Sequence, residues 1–196
     1  MEKDRLNSQI EFIKEIDKLK YIQRKTKLFN SNRNENDAEH SWHLAMMAIV
    51  LAEHSNENID ILKVLKMLLI HDLVEIDAGD TFLYDTTKNH VNTDNELVAA
   101  KRIFGILPKD QTEEYIQLWQ EFEEGKTKEA KFAKTMDRFE PILQNESNEG
   151  GTWTEFAVPY NRIIEKVKGI KLGSSIIWNY TQSLLDNLRK NKIIND

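Results

Sequence analysis

Apolar positions recur three and four residues apart along most of the chain, and strand-like alternation is scarce. Leu6 to Leu28 carries Ile10, Ile13, Ile16, Leu19 and Ile22, the spacing of an amphipathic helix. The polar run SNRNEND (31–37) ends it. A second helix is expected from Asp37 or Ala38 to about His54, capped by Asn36 or Asp37. A third is expected from about Asp60 to Glu75 or Ile76, and DAGDTFLYDTTKNHVN (77–92) reads as an irregular loop. Thr93 to Glu96 is a T-x-x-E capping box opening a helix toward Phe104, and Asp110 to Glu113 has a similar pattern. Thr127 caps a helix with Phe132, Met136, Phe139 and Leu143 on one stripe, and Pro141 should kink or strain its later turn. Helices at about 155–167 and 174–190 flank the turn KGIKLGS. The expected fold is all-α, one domain over 1–196.

Composition narrows the class. At 196 residues and 40% hydrophobic, the chain can bury a sizeable core. A formal charge of −6 argues against a polymeric nucleic acid partner and against a polybasic membrane contact. No apolar run approaches the roughly 18 to 20 residues that span a bilayer, and MEKDRLNSQIEF has no apolar signal core. With no cysteine, thiolate metal sites are excluded, and a cytoplasmic location is expected.

One stretch breaks the pattern. Around LIHDLVEIDAGD (69–80), Val64, Leu65, Met67, Leu68, Leu69, Ile70, Leu73, Val74 and Ile76 cover most of the surface of the expected third helix, as in a buried helix. His71, Asp72 and Glu75 are set among them. A buried carboxylate needs a partner. His71 and Glu75 share a face, with Asp72 about 100° away, so an imidazole and a carboxylate can reach one divalent ion. In isolation the pair is better explained by a purely structural network, with His71 donating to a carbonyl and Asp72 or Asp77 capping the following turn. Further ligands are available elsewhere. AEHSWHLAMMA supplies His40, with His43 as a competitor, and KFAKTMDRFEPIL supplies Asp137, which is also placed to pair with Lys134 or Arg138.

The order His…His-Asp…Asp, carried by AEHSWHLA (38–45), LIHDLVEIDAGD (69–80) and TMDRFEPIL (135–143), resembles the HD superfamily of metal-dependent phosphohydrolases. It is most similar to the small HD hydrolases grouped with bacterial 5′-deoxynucleotidases. The resemblance runs from about Leu19 to Asn145, an HD-type helical core followed by a C-terminal helical extension at about 151–190. It implies that His40, His71, Asp72 and Asp137 ligate one divalent metal (Mn, Co, Ni, Zn, Fe or Mg), with Glu75 and Asp80 as the acid/base and water-orienting residues. Mixed N and O donors suit these ions. The implied reaction is hydrolysis of a phosphomonoester, with a deoxyribonucleoside 5′-monophosphate as leading substrate. Another HD phosphodiesterase or pyrophosphohydrolase activity, or a non-catalytic metal- or nucleotide-binding regulatory module, remains open.

Arg24 and Arg33 are candidate phosphate clamps, and Trp42 a candidate base-stacking residue. The deoxynucleotidases carry an Arg followed by a bulky residue in this segment, where Phe29 and Asn30 stand at the position judged equivalent. His54 and His90 are read as ordinary exposed residues, and Asp77 is left out of the catalytic set. A homodimer is expected, with Trp119, Phe122, Trp153 and Trp178 as candidate interface residues.

Overall fold

The apolar stripe at the start of the chain stops sooner than its spacing suggests. In the computed structural model, which describes residues 2–85 and 93–196, α1 covers Glu2–Ile16 and gives way to a 3-10 turn at Asp17–Tyr21. The expected helix to Leu28 is replaced by a hairpin: β1 (Gln23–Lys27) pairs antiparallel with β2 (Asn34–Asn36), Gln23 opposite Asn36 and Lys27 opposite Asn34. In QRKTK alternate residues face inward, ending in buried Thr26, and this period of two suits a strand. Ile22 is already extended, and the turn holds Asn30 at a φ of 49°, a conformation that asparagine tolerates better than most residues. The apolar face of α1 is also not the expected one. Ile10 and Ile13 are exposed, and Phe12 is the buried residue, edge-on to Tyr115.

Helix α2 (Asp37–Leu51) opens on a full capping box: Asn36 accepts from the Glu39 amide and Glu39 accepts from the Asn36 amide. Helix α3 (Ile61–Ile70) is capped by Asp60, which accepts from Leu62 and Lys63. The single helix expected to reach Glu75 tightens instead into a 3-10 turn at His71–Val74, then reopens as α4 (Glu75–Ala78). Nor is α3 buried all round, since Leu62 and Leu69 face outward. Gly79, at a φ of 73°, ends α4 in a backbone region that L side chains rarely adopt.

Helix α5 (Thr93–Phe104) lies where expected, although the Thr93 side chain falls outside the described residues, as does His90. Helix α6 (Lys109–Glu124) follows Pro108. Asp110 does not cap it but forks onto Arg5 at 2.7 and 2.8 Å. Helix α7 (Lys128–Ser147) is capped by Thr127, which accepts from Ala130, and runs unbroken through Pro141. Proline has no N–H to give the carbonyl four residues back, and that residue is Asp137.

Helix α7 is the central element. It presents buried Phe132, Ala133, Met136, Phe139 and Ile142 to the core, with Ile142 deeper than the expected Leu143. Helices α2, α3 and α6 pack against it. After α7 come α8 (Gly151–Glu155), α9 (Tyr160–Val167), α10 (Ile170–Gly173) and α11 (Ser175–Lys190). The short α10, inside the expected KGIKLGS turn, lies flat on α7. Thr135 Oγ1 donates to the Ile170 carbonyl at 3.1 Å. A Cβ on Gly173 would stand 2.5 Å from the Lys131 carbonyl oxygen, so the approach requires glycine. Among the described residues, no helix is long and apolar enough to cross a membrane.

Candidate metal centre and cleft

Four residues from three separate elements meet against α7. His40 sits one turn into α2, His71 and Asp72 occupy the 3-10 turn after α3, and Asp137 lies mid-way along α7. His40 Nε2 is 3.2 Å from Asp137 Oδ1 and 4.0 Å from Asp72 Oδ2. His71 Nε2 is 3.1 Å from Asp72 Oδ1 and 3.7 Å from Asp137 Oδ1. Both imidazoles are buried, with their Nε2 atoms turned toward the two carboxylates. The tighter turn at 71–74 is what allows two adjacent residues to point at one place.

The other ring nitrogens are held from behind. His71 Nδ1 lies 2.9 Å from the Leu68 carbonyl oxygen. A carbonyl only accepts, so Nδ1 carries the hydrogen and Nε2 of the neutral ring is a lone pair facing the cluster. That Nε2 is buried and makes no hydrogen bond. His40 Nδ1 faces Glu35 Oε2 at 3.4 Å and Glu140 Oε2 at 3.3 Å, two buried carboxylates. Glu140 also receives His43 Nδ1 at 3.2 Å. A ligand histidine backed by a carboxylate or a carbonyl is the usual support of a metal ligand.

The electrostatics fit a cation. Burial opposes protonation of His71, yet Asp72 and Asp137 raise its pKa to about 9. His40 is likewise raised against burial and Arg24, by Asp137, Glu140 and Glu35. Burial works against the Asp137 charge, but Arg138, His40 and His71 hold its carboxyl well below the usual range. Imidazoles that gather protons between carboxylates mark a place where a metal ion would replace those protons. Two neutral imidazoles and two carboxylates would balance a divalent charge. The buried lone pair of His71 and this donor set fit such an ion.

Beside this cluster lies a second acidic group. Asp37, Glu75 and Asp80 each offer a carboxylate oxygen, all within 4.8 Å of one another. Burial, then Asp72 and Asp37, push the Glu75 carboxyl well up; burial and Asp72 push Asp37 up to about 6. Arg24 stands between the groups, with Nη1 3.3 Å from Asp72 Oδ2 and 3.4 Å from Asp37 Oδ1, and Nε 3.6 Å from Glu35.

These residues form the floor of a cleft of about 420 Å³. Arg24, His71, Asp72, Glu75, Asp80 and Asp137 line it, together with Tyr84, Asn145, Trp153 and Lys166. Trp153 of α8 and Lys166 of α9 bring the C-terminal helices into its lining. Arg162 of α9 donates to the Tyr84 carbonyl at 2.8 Å, and Phe82 packs on Phe156 at 4.9 Å, which fixes the loop after Asp80.

Two expected contacts are not brought to the cleft. Arg33 is exposed and forks onto Glu39 at 2.8 and 3.0 Å, because the hairpin turns it outward. Trp42 is 65% exposed and stacks on His43. Phe29 and Asn30, judged equivalent to the phosphate-binding position, lie at the hairpin turn, Phe29 edge-on to His43. Arg24 reaches the cluster in their place. Asp77, left out of the catalytic set, pairs with Arg102. Asp137 pairs with Arg138 at 3.5 Å, whereas Lys134 turns to Glu123 and the Phe122 ring. Glu35, Asp37 and Glu140 escaped the sequence reading. Each is a common surface residue type in a charged stretch, and only the fold buries it.

The HD domain family matches residues 16–178 of the chain. The 5′-deoxynucleotidase HDDC2 of Bos taurus is 31% identical over 137 residues, 69% of this chain and 65% of that protein. The 5′-deoxynucleotidase HDDC2 of Dictyostelium discoideum is 34% identical over 146 residues, covering 71% of this chain and 76% of its own length. The chain thus spans just under two thirds of the bovine protein. The crystal structure of a predicted metal-dependent phosphohydrolase from Magnetospirillum magnetotacticum superposes with a TM-score of 0.95 at 45% identity, covering 100% of this chain and 98% of that one. With a shared fold along its whole length and the family's His…His-Asp…Asp order drawn together at one buried point, this chain belongs to the HD-domain family.

Proposed function

We propose that the protein is a divalent-metal-dependent phosphomonoesterase whose leading substrate class is deoxyribonucleoside 5′-monophosphates. The observation that carries this reading is the convergence of His40, His71, Asp72 and Asp137, with the His71 lone pair buried and unpartnered toward them. The nucleotidase relatives support the substrate class. In this reading those four residues hold the metal, which when bound lowers the pKa of water and polarises a phosphoryl oxygen. Arg24 presents its guanidinium to the phosphate from the cleft floor, as a planar cation suited to forked contacts. Glu75, half-buried beside carboxylates that raise its pKa, holds and relays a proton at the cleft. Asp80, one residue past the Gly79 turn, lines the same floor and orients the attacking water. The nucleoside lies toward Tyr84 and Trp153.

Self-association would use α2. Trp42, Met46, Ile49 and Val50 form one stripe and are 65, 42, 52 and 65% exposed, an unusual run of apolar surface on one helix. Trp119, Phe122 and Trp153, expected at an interface, are buried within the chain, and Trp178 is partly buried. Replacement of Ile49 by Glu should convert a dimer to a monomer in sedimentation velocity; an unchanged species would remove α2 from the interface. The cysteine-free composition fits a reducing compartment such as the cytoplasm.

The test of activity is a phosphate-release screen over deoxynucleotides, ribonucleotides, cyclic nucleotides and sugar phosphates, with Mn, Co, Ni, Mg, Zn and Fe compared. Turnover concentrated on deoxynucleoside 5′-monophosphates is expected. No turnover across that panel would favour a non-catalytic binding module.

A further inference from the structure

Asp37 is in an unusual place for its type. As the first residue of α2 it would ordinarily be solvated, yet it is 0% exposed. Burying a carboxylate costs several kcal/mol before compensation. Helix α2 gains little in return, because the Asn36–Glu39 box already closes its N-terminus, and an acidic first turn adds only about 0.3 to 1 kcal/mol. The position is set by the backbone: the Asp37 amide donates to the Ile22 carbonyl at 3.1 Å, tying the start of α2 to the entry of β1. Two residues beyond Ile22 on that strand is Arg24.

The Arg24 guanidinium is largely buried, and carboxylates hold it from three elements. Nε faces Glu35 of β2 at 3.6 Å; Nη1 is shared between Asp72 at 3.3 Å and Asp37 at 3.4 Å. Asp72 draws Arg24 toward the candidate metal ligands and Asp37 draws it back toward α2. The second oxygen of Asp37, Oδ2, is buried with no backbone or cationic partner, in the group that Asp37 forms with Glu75 and Asp80.

We propose that Asp37 is a positioning residue for phosphate recognition, balancing Asp72 so that the Arg24 guanidinium stays on the cleft floor and is not drawn wholly into the metal cluster. The inference rests on the reading of the cleft as a phosphate site with Arg24 as its clamp. Asp37 is not among the residues that line the cleft; it acts through Arg24. Without its charge, Arg24 is left to Asp72 and Glu35, and its fork is lost to the incoming phosphate while the metal ligands stay in place.

The test uses metal-loaded full-length protein: wild type, Asp37→Asn, Asp37→Glu, Arg24→Ala and the Arg24→Ala, Asp37→Asn pair. Binding of inorganic phosphate is measured by calorimetry, with steady-state hydrolysis of a deoxynucleoside 5′-monophosphate alongside. In Asp37→Asn the phosphate Kd and the KM should rise together by about tenfold, as for loss of one charge-assisted contact. The kcat should change less than about threefold and metal content not at all. Asp37→Glu should recover part of the loss. In the Arg24→Ala background, Asp37→Asn should add nothing further, because the two act as one unit. Unchanged phosphate affinity in Asp37→Asn, or a full additive loss on top of Arg24→Ala, overturns the proposal. So does an Asp37→Asn protein that fails to fold while Arg24→Ala folds, which would make the residue structural. Wild type that binds no phosphate and hydrolyses nothing would instead refute the functional reading itself.

Discussion

Replacing Glu140 by Gln tests whether the carboxylates behind His40 tune the metal centre. Glu140 is fully buried on α7, with Oε2 3.3 Å from His40 Nδ1 and Oε1 3.2 Å from His43 Nδ1. Burial works against its charge, but His40 and His43 hold its carboxyl down to about 2. At neutral pH it is therefore an anion aimed at the back of a candidate ligand. Gln keeps the size, removes the charge and offers one acceptor where two imidazoles need one. Loss of such support from a metal ligand typically lowers metal affinity about 10- to 100-fold, or roughly 1.4 to 2.8 kcal/mol. Glu35 lies almost as close to His40 Nδ1, at 3.4 Å, and can take over part of the role. The single variant is thus expected near the tenfold end, and Glu35→Gln with Glu140→Gln nearer a hundredfold. The assay is competition against a chromophoric chelator with Mn or Co. His43→Ala is the control: it removes the other Glu140 contact from a half-buried ring, and metal affinity should shift less than about threefold. Wild-type metal affinity in the double variant would refute the reasoning, since the field behind His40 would then contribute nothing.

Other outcomes follow from the same geometry. Asp72→Ala should lose the bound ion by metal analysis. Glu75→Ala should keep the ion and lose turnover by about 10²-fold or more; retained activity would strip Glu75 of its role. Arg33→Ala should leave KM within about twofold, because its exposed pair with Glu39 is outside the cleft, and a large KM increase would contradict that placement. The metal-free protein should respond to pH through His71. Its folded pKa of about 9 exceeds the ordinary 6.5, so the stability it contributes is complete below about 6.5 and is lost as pH rises through 9. Melting temperatures of chelated protein should therefore fall between pH 7 and 9.5 more than those of metal-loaded protein. Metal binding at pH 7 should release a proton that is no longer released well above pH 9; equal release at both would remove His71 from the ligand set.

The candidate ligand set was legible through the resemblance carried by AEHSWHLA, LIHDLVEIDAGD and TMDRFEPIL; on pattern alone His40 reads as a surface residue, and only the other ligands break an apolar stripe. Asp137 beside Phe132, Met136 and Phe139 is a charge at the edge of a core stripe, and HD inside LLIHDLV is two charges among aliphatics. A residue of that kind either has a partner or strains the fold. The local shape of the HD turn was not legible, since periods of 3.0 and 3.6 cannot be separated over four residues. The carboxylates behind the ligands were hidden for a different reason. Glu35 and Asp37 belong to a polar stretch, NENDAEH, that reads as a solvated connection, and nothing within it indicates that α2 begins against β1.

The same hairpin decides which arginine serves the cleft. Read as a helix, the segment 19–28 puts Arg24 on a polar face like that of Lys20 or Lys27, and nothing separates Arg24 from Arg33 as a candidate clamp. Read as a strand, alternate residues take opposite sides; Arg24 and Thr26 turn in, and Lys25 falls between them at the cleft mouth. Arg33 lies past the turn on the return strand's outer side, where Glu39 takes its fork. A short hairpin thus separates the two arginines, one at the cleft and one outside it. The place of the candidate phosphate clamp is set by a period of two that the surrounding helical pattern concealed, and this is why Arg24, Asp37 and Asp72, from a strand, a helix start and a 3-10 turn, have to be perturbed together.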